Sequence, residues 1–447
     1  MPTESEVIDS CTSDDVALVR LFWVDNAGVE RGRVVNADDI ASVFANGANI
    51  AQAQQAFTDT DYPTDEAPLD RVGEVRLVPD PETFQLLPYV NRGAAMMCDL
   101  YTLDETPWEI DPRSRLQAFL DTFEYRSRAA FEPEWYLVRE TEDGFEPFDR
   151  SGCYTADGIQ NAHEIVLEIV DGFAAQGMEM SVYYPEYSPG QQEIAIAHSD
   201  GLTPADNQTF YKLTVKAVAA NHGLRATFSP KPFPEHAGSG SHLHLSLWEG
   251  DENAFYEPDD ESPYSISETC RQFVGGVLDH ARALVALTAP SVVSYKRLQP
   301  DAWASAYTAW GFDNREAMVR IPSSQWTESA ATTRIELKAV DNTANPYLAL
   351  LGVLAAGRDG IERGLNPGEP VDVNPMDLSK AERERRDIER LPRSLGEAID
   401  ELEADDVLEQ AMGSELHRTY VAVKRATWDD AMSAVTDWDV DTYTRFY

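Results

Sequence analysis

"FEPEWYLV" (131–138) and "SHLHLSLW" (241–248) decide the reading of this chain. Both alternate ionisable and apolar residues with the period of a β-strand. Glu132 and Glu134 therefore share one strand face, as do His242 and His244, which follow a flexible Gly238-Ser239-Gly240. "TTRIELKAV" (332–340) repeats the pattern with Arg334, Glu336 and Lys338, and "PEYSPGQQEIAIA" (185–197) sets Glu186 and Glu193 around a Pro-Gly turn. A fifth stretch, "SVVSYKRLQPDAWASAYTAWGFDNREAMVRIP" (291–322), gathers Lys296, Arg297, Arg315 and Arg320. Each has a plain explanation taken singly: a solvated glutamate pair, two half-buried histidines, a cross-strand ion ladder. Together, several strands with one apolar and one ionisable side would line a shared cavity with carboxylates and imidazole. Oxygen-rich clusters with a nitrogen donor suit Mg²⁺ or Mn²⁺ better than zinc. Two such ions beside arginines would make a place to transfer a phosphoryl group, and spacing alone goes no further.

The chain has 447 residues, 36 basic and 78 acidic, for a net charge of −42. Only seven of the basic residues are lysines, and the charge is spread along the length, which reads as the surface of a protein kept soluble in concentrated salt. A basic face for nucleic acid is hard to build from this composition. With 43% hydrophobic residues the chain is globular, and no run of eighteen apolar residues marks a membrane span. The acidic opening "MPTESEVIDSCTSDD" is unlike a signal peptide, and cysteines at 11, 98, 153 and 270 are too scattered for a disulfide framework. The expected setting is the cytoplasm.

"VALVRLFWVDNAGVERGRVV" (16–35) reads as two strands around Asn26-Ala27-Gly28, and short strands broken by prolines follow through residue 104. A small, mostly β module over 1–107 is expected to give way, after Pro107, to a larger mixed domain over 108–447. "PRSRLQAFLDTFEYR" (112–126) and "NQTFYKLTVKAVAANHG" (207–223) are helical patterns, and 377–413 reads as two charged helices separated near Pro392.

In order, "EPE" (132–134), "PGQQE" (189–193), "TFSPKPFPEHAGSGSHLHLSL" (227–247), "SYKRLQP" (294–300), "DNREAMVRIP" (313–322) and "RIELKAVDNTANPYLALLGVLAAGRDGI" (334–361) resemble the successive signatures of the glutamine synthetase family. The likeness runs from about Pro112 to near residue 420. It implies an α+β chain: a small N-terminal β-grasp domain, then a catalytic domain on a curved antiparallel sheet flanked by helices. It also implies homo-oligomeric hexameric rings, paired as a dodecamer, with each site completed by a neighbour's N-terminal domain. Glu134, Glu186 and Glu193 match ligands of the metal nearer the amino acid; Glu132, His242 and Glu336 match those of the metal that binds the phosphates of ATP. Two or three Mg²⁺ or Mn²⁺ ions are implied. Arg315, Arg320 and Arg334 match arginines that steady the phosphates, and His244 and Ser246 lie at the family's nucleotide pocket. Arg297 matches the arginine that holds the glutamate carboxylate, and Gly238 lies where backbone contacts that substrate. The implied chemistry is phosphorylation of the glutamate side chain by ATP, then displacement of phosphate by a nitrogen nucleophile.

Three departures bear on the nucleophile and the acid. Where ammonia-using members carry a glutamate that shields the intermediate and takes a proton from ammonium, this chain has Trp303 in "DAWAS". The family's N-terminal "DGSS" motif is missing from "NIAQAQQAFTDTDYP" (49–63), where Asp59 or Asp61 are the available substitutes. An indole in place of a carboxylate resembles the branch that joins glutamate to amines, such as γ-glutamylpolyamine synthetases, since a π-face receives an alkylammonium. Lys338 stands where arginine is usual and lacks the two-pronged grip on a carboxylate, which opens the choice of acid. The alternatives are a glutamine synthetase drawing ammonium carboxylates from elsewhere and a ligase for another acid. An inactive relative is opposed by the presence of all six metal positions. The helix near 379–392 lacks the tyrosine adenylylated in some members.

Overall fold

The strand expected at 131–138 is the middle of a longer one, Arg126–Thr141, in the computed structural model, which describes residues 2–69, 71–142, 144–260 and 264–447. Ser241–Glu249 pairs with it on one side and Gln191–Ile196 on the other, both antiparallel. Ile335–Leu337, Val319–Ile321 and Trp310–Phe312 extend the sheet beyond Ser241–Glu249; Met180–Pro185 extends it beyond Gln191–Ile196. The sheet is antiparallel along this path as expected, except that its outermost pair, Trp310–Phe312 with Val319–Ile321, is parallel. The cause is the intervening loop: Asn314 Nδ2 donates to the carbonyls of Val371 (2.8 Å) and Val373 (2.9 Å). The chain so held returns to run in its first direction instead of closing a hairpin.

Register separates the two faces of this sheet. Leu243 lies opposite both Phe131 and Leu337, and Leu245 opposite Ala129 and Ile335; all six are buried in the main core. The helix Thr203–Asn221 covers that face, where Trp135 Nε1 donates to the hydroxyl of Tyr211 (3.2 Å). Behind it Pro346–Arg363 is buried on nearly every side. It crosses Glu268–Asp279 with backbones in contact: a Cβ on Gly276 would lie 2.0 Å from the Ala356 carbonyl oxygen. Apolar burial on this scale, at roughly 25 cal/mol per Å², supplies the main drive to fold.

The N-terminal sheet runs Glu30–Asn36, Leu18–Val24, Gly93–Tyr101, Glu74–Pro79, Ala48–Ala51, with the second and third parallel in a β-grasp arrangement. The two strands around Asn26-Ala27-Gly28 are as expected. The opening residues, read only as polar, form the helix Glu4–Ser13, started by a reciprocal cap between Thr3 and Glu6. Two further helical readings are corrected. The pattern at 112–126 is helical only over Pro112–Leu120, since the central strand already begins at Arg126. The second charged helix near the C-terminus divides into Leu395–Glu403 and Asp406–Met412, because the side chain of Asp405 accepts from the backbone N–H groups of Val407 and Leu408 and starts a new helix. Among the described residues no helix is long and apolar enough to cross a membrane.

The turn between the first two strands docks onto the catalytic domain. Gly28 has φ +89°, and a Cβ there would meet the Thr343 carbonyl oxygen at 2.3 Å. Asn345 Nδ2 donates to the Asp25 carbonyl (3.0 Å) and Lys424 Nζ to that of Ala27 (2.8 Å). Glu30 is buried against Lys212 and also reaches Lys216 (3.0 Å). Burial alone would raise Glu30, but the two ammonium groups outweigh it and hold its carboxyl at about 2. With an unfolded value near 4.5, its stabilisation is complete above that pH and is lost as pH falls toward about 2. Glu30→Gln leaves Lys212 buried without its counter-ion and is expected to cost about 3–5 kcal/mol. Urea denaturation at pH 7 measures the loss, and the same series down to pH 3 is expected to show a shallower acid limb in the variant.

Candidate active site

The face of the catalytic sheet turned from the core carries the ionisable residues, and register sets them in rows. His242 lies opposite Glu132, His244 opposite Glu336, Arg320 opposite Glu336, and Glu193 opposite Glu134. Single atoms of Glu132, His244 and Glu336 all come within 4.8 Å of one another. His242 sits in the middle: Nδ1 is 3.4 Å from Glu336 and 3.9 Å from Glu132, and Nε2 is 3.6 Å from Glu134. Glu186 joins from the turn after Met180–Pro185, fixed by the N–H of Tyr187 (2.7 Å). Glu134 accepts from the Gly240 N–H (2.9 Å) and from Gln191 Nε2 (3.2 Å), and Tyr184 donates its hydroxyl proton to Glu193. All six residues expected to hold metal are therefore on one surface.

The two histidines each meet a cation on one ring nitrogen and carboxylates on the other. Arg334 Nε, which can only donate, is 3.0 Å from His244 Nδ1. That nitrogen must accept, so the proton of neutral His244 is on Nε2, which faces Glu132 at 3.2 Å. His242 keeps Nδ1 directed at two carboxylates, and burial followed by the charge of Lys338 lowers its pKa.

Charge is unevenly balanced across the face. Burial disfavours ionised Glu132, but the imidazoles of His244 and His242 outweigh it and hold the carboxyl well below its usual range. Glu336 is likewise lowered against burial, by Lys338, both imidazoles and Arg320, whose Nη1 is 2.7 Å from it. On the other side no lysine or arginine among the described residues pairs with the carboxylates, and Lys338 offsets little of their repulsion. Burial and then repulsion from Glu132, Glu134 and Glu186 push Glu193 well up, and burial with Glu134 pushes Glu186 up to about 7. A crowd of buried carboxylates with little counter-charge fits a bound cation, and its oxygen donors fit a hard divalent ion.

The remaining expected residues are distributed as follows. Arg297 is buried, with Nη1 donating to the Val340 carbonyl (3.0 Å) and Nη2 to that of Lys338 (3.1 Å). Gly238 must lack a side chain, since a Cβ there would lie 2.7 Å from Arg297 Cγ; its carbonyl accepts from Gln191 (2.9 Å). Lys338 Nζ points into the cluster, 3.3 Å from His242 Nε2 and 3.5 Å from Glu336. Ser246 continues the face beyond His244 and accepts from Trp248 Nε1 (3.0 Å). Arg320 keeps its buried Nε without a partner, and Arg315 is exposed with no hydrogen bond or ion pair among the described residues. Asp59 and Asp61, the candidates to replace lost ammonium carboxylates, pair with Lys424 and Arg31 in this chain and do not join the cluster. Sequence reasoning passed over Tyr184, Gln191 and His198, whose ring is 5.9 Å from that of His244. Alternation along "MSVYYP" and "QQEIAIA" was the available signal for the first two.

Trp303 lies at the opening of this surface with φ +53°. Its ring is 6.1 Å from that of Tyr187, and both side chains are more than 60% exposed.

Comparison with known proteins gives this arrangement its class. A family model for the glutamine synthetase catalytic domain matches residues 109–443, and one for the glutamine synthetase N-terminal domain matches residues 2–108. A glutamine synthetase of Methanocaldococcus jannaschii is 39% identical over 381 residues, covering 83% of each chain. One of Thermus thermophilus is 35% identical over 463 residues, 100% of this chain and 99% of its own. The structure of a GmaS/ADP complex is similar with a TM-score of 0.85 and 30% identity, over 98% of this chain and 99% of that one. The fold is that of an ATP-dependent ligase. The chain belongs to the glutamine synthetase family.

Mn²⁺ or Mg²⁺ is expected to raise the melting temperature of the wild-type protein. In Glu336→Gln the affinity for Mn²⁺ measured by titration calorimetry is expected to fall at least about tenfold, with the thermal shift reduced accordingly.

Proposed function

We propose that the protein is a γ-glutamyl-amine ligase: it phosphorylates the side-chain carboxylate of glutamate with ATP and couples the product to an amine. In this reading Glu134, Glu186 and Glu193 hold one divalent ion, and Glu132, His242 and Glu336 another. Such ions, when bound, neutralise phosphate charge and polarise the phosphoryl group to be transferred. Arg320 and Arg334 reach the nucleotide phosphates from the sheet, and exposed Arg315 is free to close on the phosphoryl group. His244 and Ser246 lie under the nucleotide. The acid is received beside Gly238, where Arg297 and Lys338 supply positive charge. A carboxylate is a poor electrophile; as an acyl phosphate it carries a leaving group that a nitrogen nucleophile can displace. Ring assembly, with a neighbour's N-terminal domain over the site, belongs to the same reading.

The observation that carries the choice of nucleophile is the pair of aromatic faces, Trp303 and Tyr187, beside Glu186 at the opening. An alkylammonium gains from π-faces and apolar walls, whereas ammonium gains most from carboxylates. Likeness to GmaS, a γ-glutamylmethylamide synthetase, supports the same choice. Ammonium is the second reading, favoured by relatives that carry the name glutamine synthetase at up to 39% identity.

The test is ATP-dependent phosphate release in concentrated salt with glutamate, Mg²⁺ or Mn²⁺, and ammonium, methylamine, ethanolamine, putrescine or a longer polyamine in separate assays. Amide products are identified by mass. Turnover with an amine well above that with ammonium is expected; the reverse preference would make the protein a glutamine synthetase. Trp303→Glu is expected to lower kcat/KM for the preferred amine about tenfold relative to ammonium. Silence with glutamate but turnover with another dicarboxylate would place the departure at Lys338.

A further inference from the structure

A tryptophan in the position of a glutamate leaves a chemical task undone. The nitrogen that attacks an acyl phosphate must be unprotonated, and both ammonium and simple alkylamines are cations near neutral pH. Either some group takes a proton from the bound nucleophile, or the enzyme works only on the small fraction already neutral. No carboxylate on the sheet is well suited, since Glu132 and Glu336 are bound to imidazole, lysine or arginine, and Glu134, Glu186 and Glu193 form the cation cluster.

The loop carrying Trp303 brings another carboxylate to the same place. The backbone N–H of Trp303 donates to Glu316 Oε1 at 3.2 Å. Glu316 Oε2 has no partner among the described residues. Three non-glycine residues of the Trp303 loop, Asp301, Trp303 and Ser305, have φ between +53° and +64°. Such backbone costs free energy and persists where surrounding contacts impose it. Those contacts hold the two segments against each other. Ser305 Oγ donates to the Ala317 carbonyl (2.7 Å), and the Glu316 N–H donates to Asn314 Oδ1 (3.0 Å). The Lys338 N–H donates to the Met318 carbonyl (2.9 Å), which ties the segment of Glu316 to the end of the strand Ile335–Leu337 that holds Glu336. Glu316 thus lies between the aromatic opening and the floor of the site. Burial raises its carboxyl from the usual value and Asp301 adds to this, while the Trp303 N–H and Lys338 oppose it. Asp301, the other acid in the loop, is exposed and accepts from Asn374 Nδ2 (2.8 Å).

We propose that Glu316 is the catalytic residue that binds the incoming ammonium group and accepts its proton, a carboxylate supplied from the loop after Trp310–Phe312 in place of the one Trp303 displaced. The inference rests on the ligase reading of the site, not on which nitrogen nucleophile is used. The ionised Glu316 takes one proton from R–NH₃⁺, giving R–NH₂ and a neutral carboxyl. The nitrogen lone pair forms the C–N bond as the C–O bond to phosphate breaks, and the second nitrogen proton leaves with the phosphate as HPO₄²⁻. Glu316 then returns its proton to solvent. Trp303 and Tyr187 enclose the carbon chain, and the Trp303 N–H holds Oε1 so that Oε2 faces the nucleophile.

The experiment compares nucleophiles that differ in whether they arrive protonated. Wild type, Glu316→Gln, Glu316→Asp and Asp301→Asn are assayed with methylamine, ammonium and hydroxylamine, the last being largely neutral at pH 7. Glu316→Gln keeps the hydrogen-bond acceptor for Trp303, and its melting temperature is checked against wild type. Loss of the proton acceptor is expected to lower kcat/KM about 100-fold or more for the nucleophile that wild type prefers. The loss with hydroxylamine is expected to stay within about threefold, because that nitrogen needs no prior deprotonation. Glu316→Asp recovers part of the activity. Equal losses with all three nucleophiles would make Glu316 a support for the loop only and overturn the proposal, as would a selective loss in Asp301→Asn instead. Wild-type preference for ammonium would overturn the amine reading while leaving the Glu316 comparison intact. No turnover with any nucleophile would overturn both.

Discussion

The structure depends on the register of one strand. Along Arg126–Thr141 the side chains of Phe131 and Trp135 enter the core while Glu132 and Glu134 turn outward, and the flanking strands align to the same alternation. A slip of one residue would drive two carboxylates into the apolar layer and expose a tryptophan and a phenylalanine. The core therefore fixes the relative positions of residues it never touches. Hydrophobic burial, which has no directional preference of its own, becomes the ruler by which imidazole, carboxylate and guanidinium are spaced.

That arrangement carries an electrostatic strain whose distribution is informative. Where Arg320, Arg334, Lys338 and the two histidines reach the sheet, the carboxylates are stabilised as anions. Where Glu134, Glu186 and Glu193 meet, no lysine or arginine among the described residues pairs with them, and Glu186 and Glu193 are held against ionisation. The chain thus balances charge with its own residues over one half of the face and much less over the other. The hydrogen bond from Arg334 to His244 adds a finer detail. It directs the His244 proton at Glu132, and Lys338 Nζ beside His242 Nε2 likewise directs the His242 proton at the carboxylates facing Nδ1.

Much of this was legible in the sequence because a strand translates spacing into facing with little loss. Glu132, Glu134, His242, His244 and Glu336 came together on one surface for the reason their alternation implied, and the paired strands around Gly28 formed as read. What escaped reading was set by tertiary contacts. The N-terminal helix hid in a short capped segment, and Asp405 divided a helix that charge patterning presented as continuous. The parallel edge pair arose from a loop anchored to Val371 and Val373, far along the chain. The same loop delivers Glu316 to Trp303 through a backbone hydrogen bond, a relation that no periodicity encodes. Alternation also could not tell that Arg297 would be buried with its donors on main-chain carbonyls.

The docking of the first turn bears on how the chain is born. During synthesis from the N-terminus, the first sheet emerges early with Gly28 ready for a partner that is not yet made. Asn345, which grips Asp25, lies 320 residues further on, and Lys424, which grips Ala27, lies 397 further on. Contacts of such sequence separation form slowly, because loop closure must precede any reward. The carboxylate-bearing strand also waits, harmlessly hydrated, for the segments that flank it. The last residue of the charged surface, Lys338, comes shortly before Asn345, and the final hold on the first module, Lys424, comes later still. A chain that stalls before Glu336 lacks Asn345 and Lys424 as well as part of the charged surface, and so presents a quality-control system with two signs of incompleteness at once.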